Sequence, residues 1–134
     1  MSVCSFFASL LFFMLIRAEV NVSHITVRIA AGHPAIYQLE FPADEGYIIG
    51  RSDENSEAQM PDIDLTSLRG RELGVSRRHA ALVRYKNMPH LLDLQSVNGT
   101  FLNGRRIVPD TPYPLEAENT IRLGTLQICI DCLV

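Results

Sequence analysis

Val97-Asn98-Gly99-Thr100-Phe101-Leu102-Asn103-Gly104 decides the fold class of this chain. Asn-Gly is the strongest short turn signal, because both residues tolerate positive φ. Two such turns bracket Thr100–Leu102 and leave room there for a short strand and none for a helix. The rest of the chain obeys the same grammar. Downstream, residues 108–114, with Pro109, Pro112 and Pro114, read as an extended loop, and 121–123 with 126–134 as a final hairpin about Gly124. Upstream, Ile25, Val27 and Ile29 alternate with Thr26 and Arg28, residues 32–34 turn the chain, and Tyr37, Leu39 and Phe41 form a second alternating row. Residues 42–46 turn again, 47–51 make a third strand, and the polar, acidic residues 52–61 make an exposed loop. Residues 63–65 are a very short strand, 67–74 a loop, 78–85 a strand with Ala81, Val83 and Tyr85 on one side, and 90–94 a strand after the turn at 86–89. No segment sustains a helical period. The expectation is an all-β sandwich of ten or eleven strands, with functional loops at one end.

At 134 residues the chain has room for one domain, which excludes a multidomain enzyme. Thirteen of the first 16 residues are apolar, so it divides into an apolar leader, 1–16, and an ordinary domain, 22–134. The leader carries no charge before Arg17, which makes a weak signal peptide, and it is short of the ~20 residues that span a bilayer. The favoured reading is a start at Met14, because Met14-Leu15-Ile16-Arg17 leads directly into the first strand. Cytoplasmic localisation is expected, with membrane tethering, and hence membrane contact, only if 1–16 is a true anchor.

The net charge of −3 argues against a nucleic-acid or anionic-membrane binder, which needs a basic excess. That sum hides a polarity: residues 40–64 hold eight acids and one base (Arg51), whereas 69–86 hold six bases and one acid (Glu72). Eleven of the twelve bases are Arg, whose planar fork suits bidentate binding of phosphate or carboxylate. A compact anion site is the expectation.

Cys4, Cys129 and Cys132 are too few and too oddly placed for a disulfide framework. A spacing of three on a strand sends Cys129 and Cys132 to opposite faces, Cys132 into the core, so neither zinc nor redox chemistry is expected there. The four histidines, His24, His33, His79 and His90, lack ligand spacing, and no metal is expected.

The informative residues, in order, are Gly50-Arg51, Gly74-Val75-Ser76-Arg77-Arg78-His79, Asn98-Gly99-Thr100 and Asn103-Gly104. Arg51 precedes Ser76 by 25 residues and His79 precedes Asn98 by 19. In this series of motifs and spacings the chain resembles the forkhead-associated (FHA) domain, an eleven-stranded β-sandwich that binds phosphothreonine. The resemblance covers residues 22–134 and rests on five motif elements in order.

The resemblance implies that Arg51 grips the phosphate, Ser76 donates its hydroxyl to it, and loop amides around Arg77 complete the cradle. Asn98 would bond the backbone of the bound peptide, with Val97 beside it. Gly50, His79, Gly99 and Thr100 would hold the loops together. Arg69 and Arg71 would lie in the loop that, in this family, selects the residue three positions after the phosphothreonine, Arg71 favouring an acid there. Gly74 contributes no selecting side chain. On chemical grounds alone a dianionic phosphate asks for a permanent cation, hydroxyl and amide donors, and no nearby carboxylate. Of the adjacent pair, Arg77 suits the phosphate side and Arg78 the solvated flank.

Two departures stand out. Gln95-Ser96-Val97 replaces the family's glycine, serine and threonine, so Val97 lacks a hydroxyl worth about 1 kcal/mol to a bound peptide. Glu118-Asn119 replaces a Gly-Asp turn, where Asn still permits positive φ.

The expected function is therefore non-catalytic, phosphothreonine-dependent protein binding: an adaptor that docks a partner phosphorylated by a Ser/Thr kinase, with no cofactor. A phosphate-independent scaffold using an exposed sheet face is the alternative. A hydrolase using Ser76, His79 and Asp93 is remote, because no nucleophile elbow precedes Ser76. Asn21-Val22-Ser23 and Asn98-Gly99-Thr100 match glycosylation sequons, but a glycan on Asn98 would block the proposed peptide loop, which again favours the cytoplasm.

Overall fold

The computed structural model describes residues 26–31, 35–40, 46–55 and 60–133. The leader 1–16, the start at Met14, Cys4, His24, Ile25, His33, Phe41 and the Asn21 sequon lie outside these residues. Eleven strands follow in order: β1 (Thr26–Ala30), β2 (Ala35–Glu40), β3 (Tyr47–Gly50), β4 (Ile63–Asp64), β5 (Arg78–Tyr85), β6 (Met88–Asp93), β7 (Thr100–Leu102), β8 (Arg105–Arg106), β9 (Tyr113–Pro114), β10 (Glu118–Leu123) and β11 (Leu126–Leu133). One 3-10 turn, Thr66–Leu68, follows β4. Among the described residues no helix is long and apolar enough to cross a membrane.

The strands form two sheets, six-stranded β2-β1-β11-β10-β7-β8 and five-stranded β4-β3-β5-β6-β9. The pairings described are antiparallel except β3 with β4. Alternation explains the core. Leu126, Ile128, Ile130 and Cys132 of β11 and Ile121 and Leu123 of β10 turn inward from one sheet and meet Ile49, Ile63, Leu82 and Leu91 of the other. On β5 the row Ala81, Val83, Tyr85 is the outer one; Ala80 and Leu82 face the core. Cys132 lies in that core and Cys129 outside it, although both are buried. Burial, then the charge of Asp131, pushes the Cys132 thiol up to about 12, so the free thiol stays protonated at neutral pH.

Two local readings change. Residues 108–114 are not all loop, since Tyr113–Pro114 pairs with β6 at the sheet edge, where proline's missing N–H is tolerated. Glu118-Asn119 is no turn: both residues belong to β10, and Asn119 is buried. Its carboxamide accepts from the Glu116 amide and donates to the carbonyls of Glu116 and Ile130, all at 2.9 Å. The side chain thus staples the approach to β10 onto β11.

Candidate functional site

Three connections meet at one end of the sandwich: the segment after β3, the loop between β4 and β5, and the loop between β6 and β7. They surround an open cleft of about 800 Å³ whose lining includes Arg51, Ser76, Arg77, Val97 and Asn98. These are the five residues expected to bind phosphopeptide. Arg71 also lines it, whereas Arg69 does not. Arg69 closes the 3-10 turn in the left-handed conformation, its amide bonded to the Thr66 carbonyl. Arg78, expected on the solvated flank, lines the cleft beside Arg77.

Arg51 leaves β3 just after a register shift. Ile49 pairs with Ala80 and Gly50 with Arg78, which makes His79 the extra residue on β5. Such a bulge re-aims a side chain, and His79 and Ala80, neighbours in sequence, are both fully buried. Gly50 allows this approach: a Cβ there would fall 1.9 Å from the Arg77 carbonyl oxygen. The Arg51 amide bonds that same oxygen at 3.2 Å, and its Nε donates to the Val75 carbonyl at 2.8 Å. The guanidinium is therefore held at the root of the β4–β5 loop. Its Nη1 is closed to solvent and has no acceptor among the described residues, a desolvation that nothing in the described domain offsets.

His79 locks the loops together. Its Nδ1 accepts the Ser76 amide at 3.0 Å and its Nε2 lies 3.0 Å from the Gly99 carbonyl, which can only accept. Nε2 therefore carries the proton. Burial holds the His79 pKa below its usual value, against the opposing pull of the Gly99 bond and the Asp93 charge. Neither ring nitrogen is bonded to the Ser76 hydroxyl. Ser76 Oγ instead accepts the Val97 amide at 3.2 Å, which leaves its own O–H to be donated.

Asp93, the third member of the imagined triad, belongs to another network. It accepts the hydroxyls of Ser96 and Thr100, each at 2.6 Å, and the Ser96 amide at 3.2 Å; Ser96 Oγ in turn accepts the Gly99 amide at 3.0 Å. The β6–β7 loop is wound around one buried carboxylate. Of the Asn98-Gly99 pair only Gly99 has positive φ, +87°. Asn98-Gly99 is thus not a type I′ turn, which needs positive φ at both residues. Its Nδ2 donates to the Gly74 carbonyl at 3.0 Å, bridging the two loops, and its Oδ1 remains an acceptor. Gly74 has φ +89°, and a Cβ on it would sit 2.7 Å from that Nδ2.

Asp64 organises the third connection. Its carboxylate accepts the amides of Ser52 and Thr66 and the Thr66 hydroxyl, while Tyr37 Oη bonds its backbone. Burial alone would raise the Asp64 pKa, but these bonds outweigh it and hold the group below its usual range. The sequence reading missed this node, and Ser96 too. Their signals are Asp followed two or three residues later by a residue whose amide it caps, the Asx-turn spacing.

One chemical expectation fails. The cleft does contain a carboxylate: Asp53 lines it, and its Oδ2 is 3.9 Å from Arg77 Nη1, a pair in which the Arg77 side chain is 60% exposed. Met60, 62% exposed, and Val97, 84% exposed, add apolar surface. Among the described residues no three His, Cys, Asp or Glu gather as metal ligands.

Comparison with known proteins agrees with this architecture. A 51-residue stretch is 45% identical to an Arabidopsis thaliana homolog of the protein phosphatase 1 regulatory inhibitor subunit PPP1R8, covering 37% of this chain and 14% of that protein. A 65-residue stretch is 35% identical to the probable E3 ubiquitin-protein ligase dma1 of Schizosaccharomyces pombe, covering 46% of this chain and 24% of that one. The chain thus matches less than a quarter of either curated relative's length. A solved structure, from a structural and functional analysis of phosphothreonine-dependent FHA domain interactions, superposes with a TM-score of 0.57 at 27% identity, over 81% of this chain and 96% of the other. The FHA domain profile matches residues 47–124, from β3 through the turn after β10, more than half the chain and all three loop connections, so the chain belongs to the FHA domain family.

Proposed function

We propose that this domain is a non-catalytic adaptor module that binds a threonine-phosphorylated segment of a partner protein and so answers to a Ser/Thr kinase. The observation that carries this reading is the convergence of Arg51, Ser76 and Asn98 on one cleft, each fixed by one bond and left with a free polar group. Arg51 supplies a permanent cation and Ser76 an O–H; the Ser76 amide is already engaged by His79, which leaves the phosphate to the loop amides around Arg77. Phosphate entering the cleft offers Arg77 a stronger partner than Asp53 at 3.9 Å. Arg71, on the cleft wall, supports a preference for an acidic residue beyond the phosphothreonine. Met60 and Val97 supply contact surface where a hydroxyl would otherwise bond the peptide.

Binding rather than catalysis is supported by His79, whose two ring nitrogens serve the backbone and not Ser76. We place the domain in the cytoplasm, since a glycan on Asn98 would cover the cleft; 1–16 as a membrane tether is the alternative.

The test is titration of a phosphothreonine peptide library and its unphosphorylated twin. Only the phosphorylated set binds, Arg51→Ala weakens binding by about a hundredfold or more, and Ser76→Ala by about tenfold. Equal binding of the twins would sink this reading and promote a phosphate-independent scaffold. Raising ionic strength weakens binding only modestly, as befits one anion at a partly buried cation rather than a diffuse basic patch.

A further inference from the structure

Phe101 on β7 pairs directly with Arg106 on β8 and with Arg122 on β10, so the three side chains stand in one row across the outer face of the six-stranded sheet. The Arg122 guanidinium lies 3.7 Å from the Phe101 ring centroid and that of Arg106 5.9 Å. Two cations therefore share one aromatic ring. Neither has a carboxylate partner among the described residues, where the ion pairs are Arg28 with Asp131 and Arg77 with Asp53. Stacking on the ring and a 3.0 Å bond from Arg122 Nη1 to the Gly124 carbonyl fix the Arg122 fork and leave most of its donors unused.

A groove of about 390 Å³ adjoins the Phe101–Arg122 end of this row, and its lining also includes Glu72 and Leu73. Gly74 and Asn98 line both this groove and the phosphate cleft, and their 3.0 Å bond is the ridge between the two. Arg106 lines neither cavity but approaches the residue next to Asn98, since a Cβ on Gly99 would lie 3.0 Å from its guanidinium. A peptide bonded to Asn98 is therefore already at the edge of a second groove, which offers it the Arg122 guanidinium. At about 3.3 Å per extended residue, a few positions of chain cross the ridge.

We infer that Arg122 and Arg106, mounted on Phe101, form a second anion subsite, which takes an acidic side chain from the flank of the peptide whose phosphothreonine fills the first cleft. The inference rests on the phosphopeptide reading above. The ligand is a compact anion, either a Glu or Asp carboxylate or a second phosphate. It is held by the guanidinium groups stacked on Phe101, and the Glu72 carboxylate that also lines the groove opposes it.

The test uses the full chain and an alanine-flanked phosphothreonine peptide, into which one glutamate or one phosphoserine is moved through the positions on either side. At one position glutamate tightens binding by about fivefold and phosphoserine by at least as much. The double variant Arg106→Gln/Arg122→Gln loses that gain but keeps the affinity for the alanine-flanked peptide within about twofold. Glu72→Gln enlarges the gain. Arg106→Gln alone, a change at an exposed side chain, reports the same loss in part if the double variant fails to fold. A gain from phosphoserine alone supports the subsite with phosphate as its ligand. No gain at any position, or a gain the variants leave intact, overturns the subsite while the phosphopeptide reading stands. Failure of the alanine-flanked peptide to bind, with an unphosphorylated twin equally inert, overturns both.

Discussion

The middle of the sandwich and its loop end are held together by different forces. Between the sheets, Ile49, Leu82, Ile121 and Ile128 meet without a polar atom among their side chains, and stability comes from apolar area removed from water. At the loop end, Asp64, Asp93, His79 and Asn98 each bond groups that distant parts of the sequence bring to them. The interior tolerates exchange among side chains of similar volume. The loop end does not at His79, Asp93 and Thr100, where losing a partner strands a buried polar group. Stability and recognition are thus separable in this domain, and mutations can test the separation.

The sharpest contrast is Leu82→Ala. Leu82 is fully buried, so the cavity costs about 2–5 kcal/mol, read by denaturant unfolding. The fraction that remains folded binds phosphopeptide with unchanged affinity. A loss of affinity in that fraction would break the division between core and site. Thr100→Val removes one of the hydroxyls on Asp93 at constant shape and costs about 1–3 kcal/mol. Unlike the core variant it also weakens peptide binding, because the β6–β7 loop that carries Asn98 loosens. Val97→Thr, at an 84% exposed position, leaves unfolding untouched and tightens binding by roughly fivefold through the hydroxyl it restores.

The mildest test is pH. His79 has its pKa below the usual 6.5 in the folded state, so the unfolded chain binds more protons as pH drops through 6.5. Stability is complete above that value and declines below it. The decline continues until the folded pKa is passed. Protonation also ends the role of Nδ1 as acceptor of the Ser76 amide. His79→Gln flattens this slope in a series of melts across mildly acidic pH; a slope that persists would assign it elsewhere.

Much of this was legible from residue order. Period-two alternation marks β10, β11 and the strands facing them, because one face of each is buried, and Asn103-Gly104 makes the tight turn expected of it, with φ of 49° and 87°. Arg51, Ser76 and Asn98 were readable as motif residues, and they line one cleft together with Arg77 and with Val97, which departs from the motif. What escaped depends on tertiary register. The bulge that buries both His79 and Ala80 arises from how β3 meets β5, and no feature local to either strand announces it. Asp53 approaches Arg77 across 24 residues of chain, and Asn119 looks like a turn residue until Ile130 is brought beside it. Polar residues were read locally, whereas most of their partners are remote.

The pairing of β1 with β11 has a practical result for how such a module is carried. Thr26 lies opposite Leu133, so the strand that enters the domain and the strand that leaves it meet at one point. The Gly124 turn at the start of β11 docks instead on Leu73 and Gly99, beside the cleft. Eight strand residues, about 26 Å at the usual rise, separate the two. The start of β1 and the end of β11 thus lie at the end of the sheet away from the cleft, as a plug is wired from behind. A fluorescent protein or a surface linker joined after β11 leaves the cleft unobstructed.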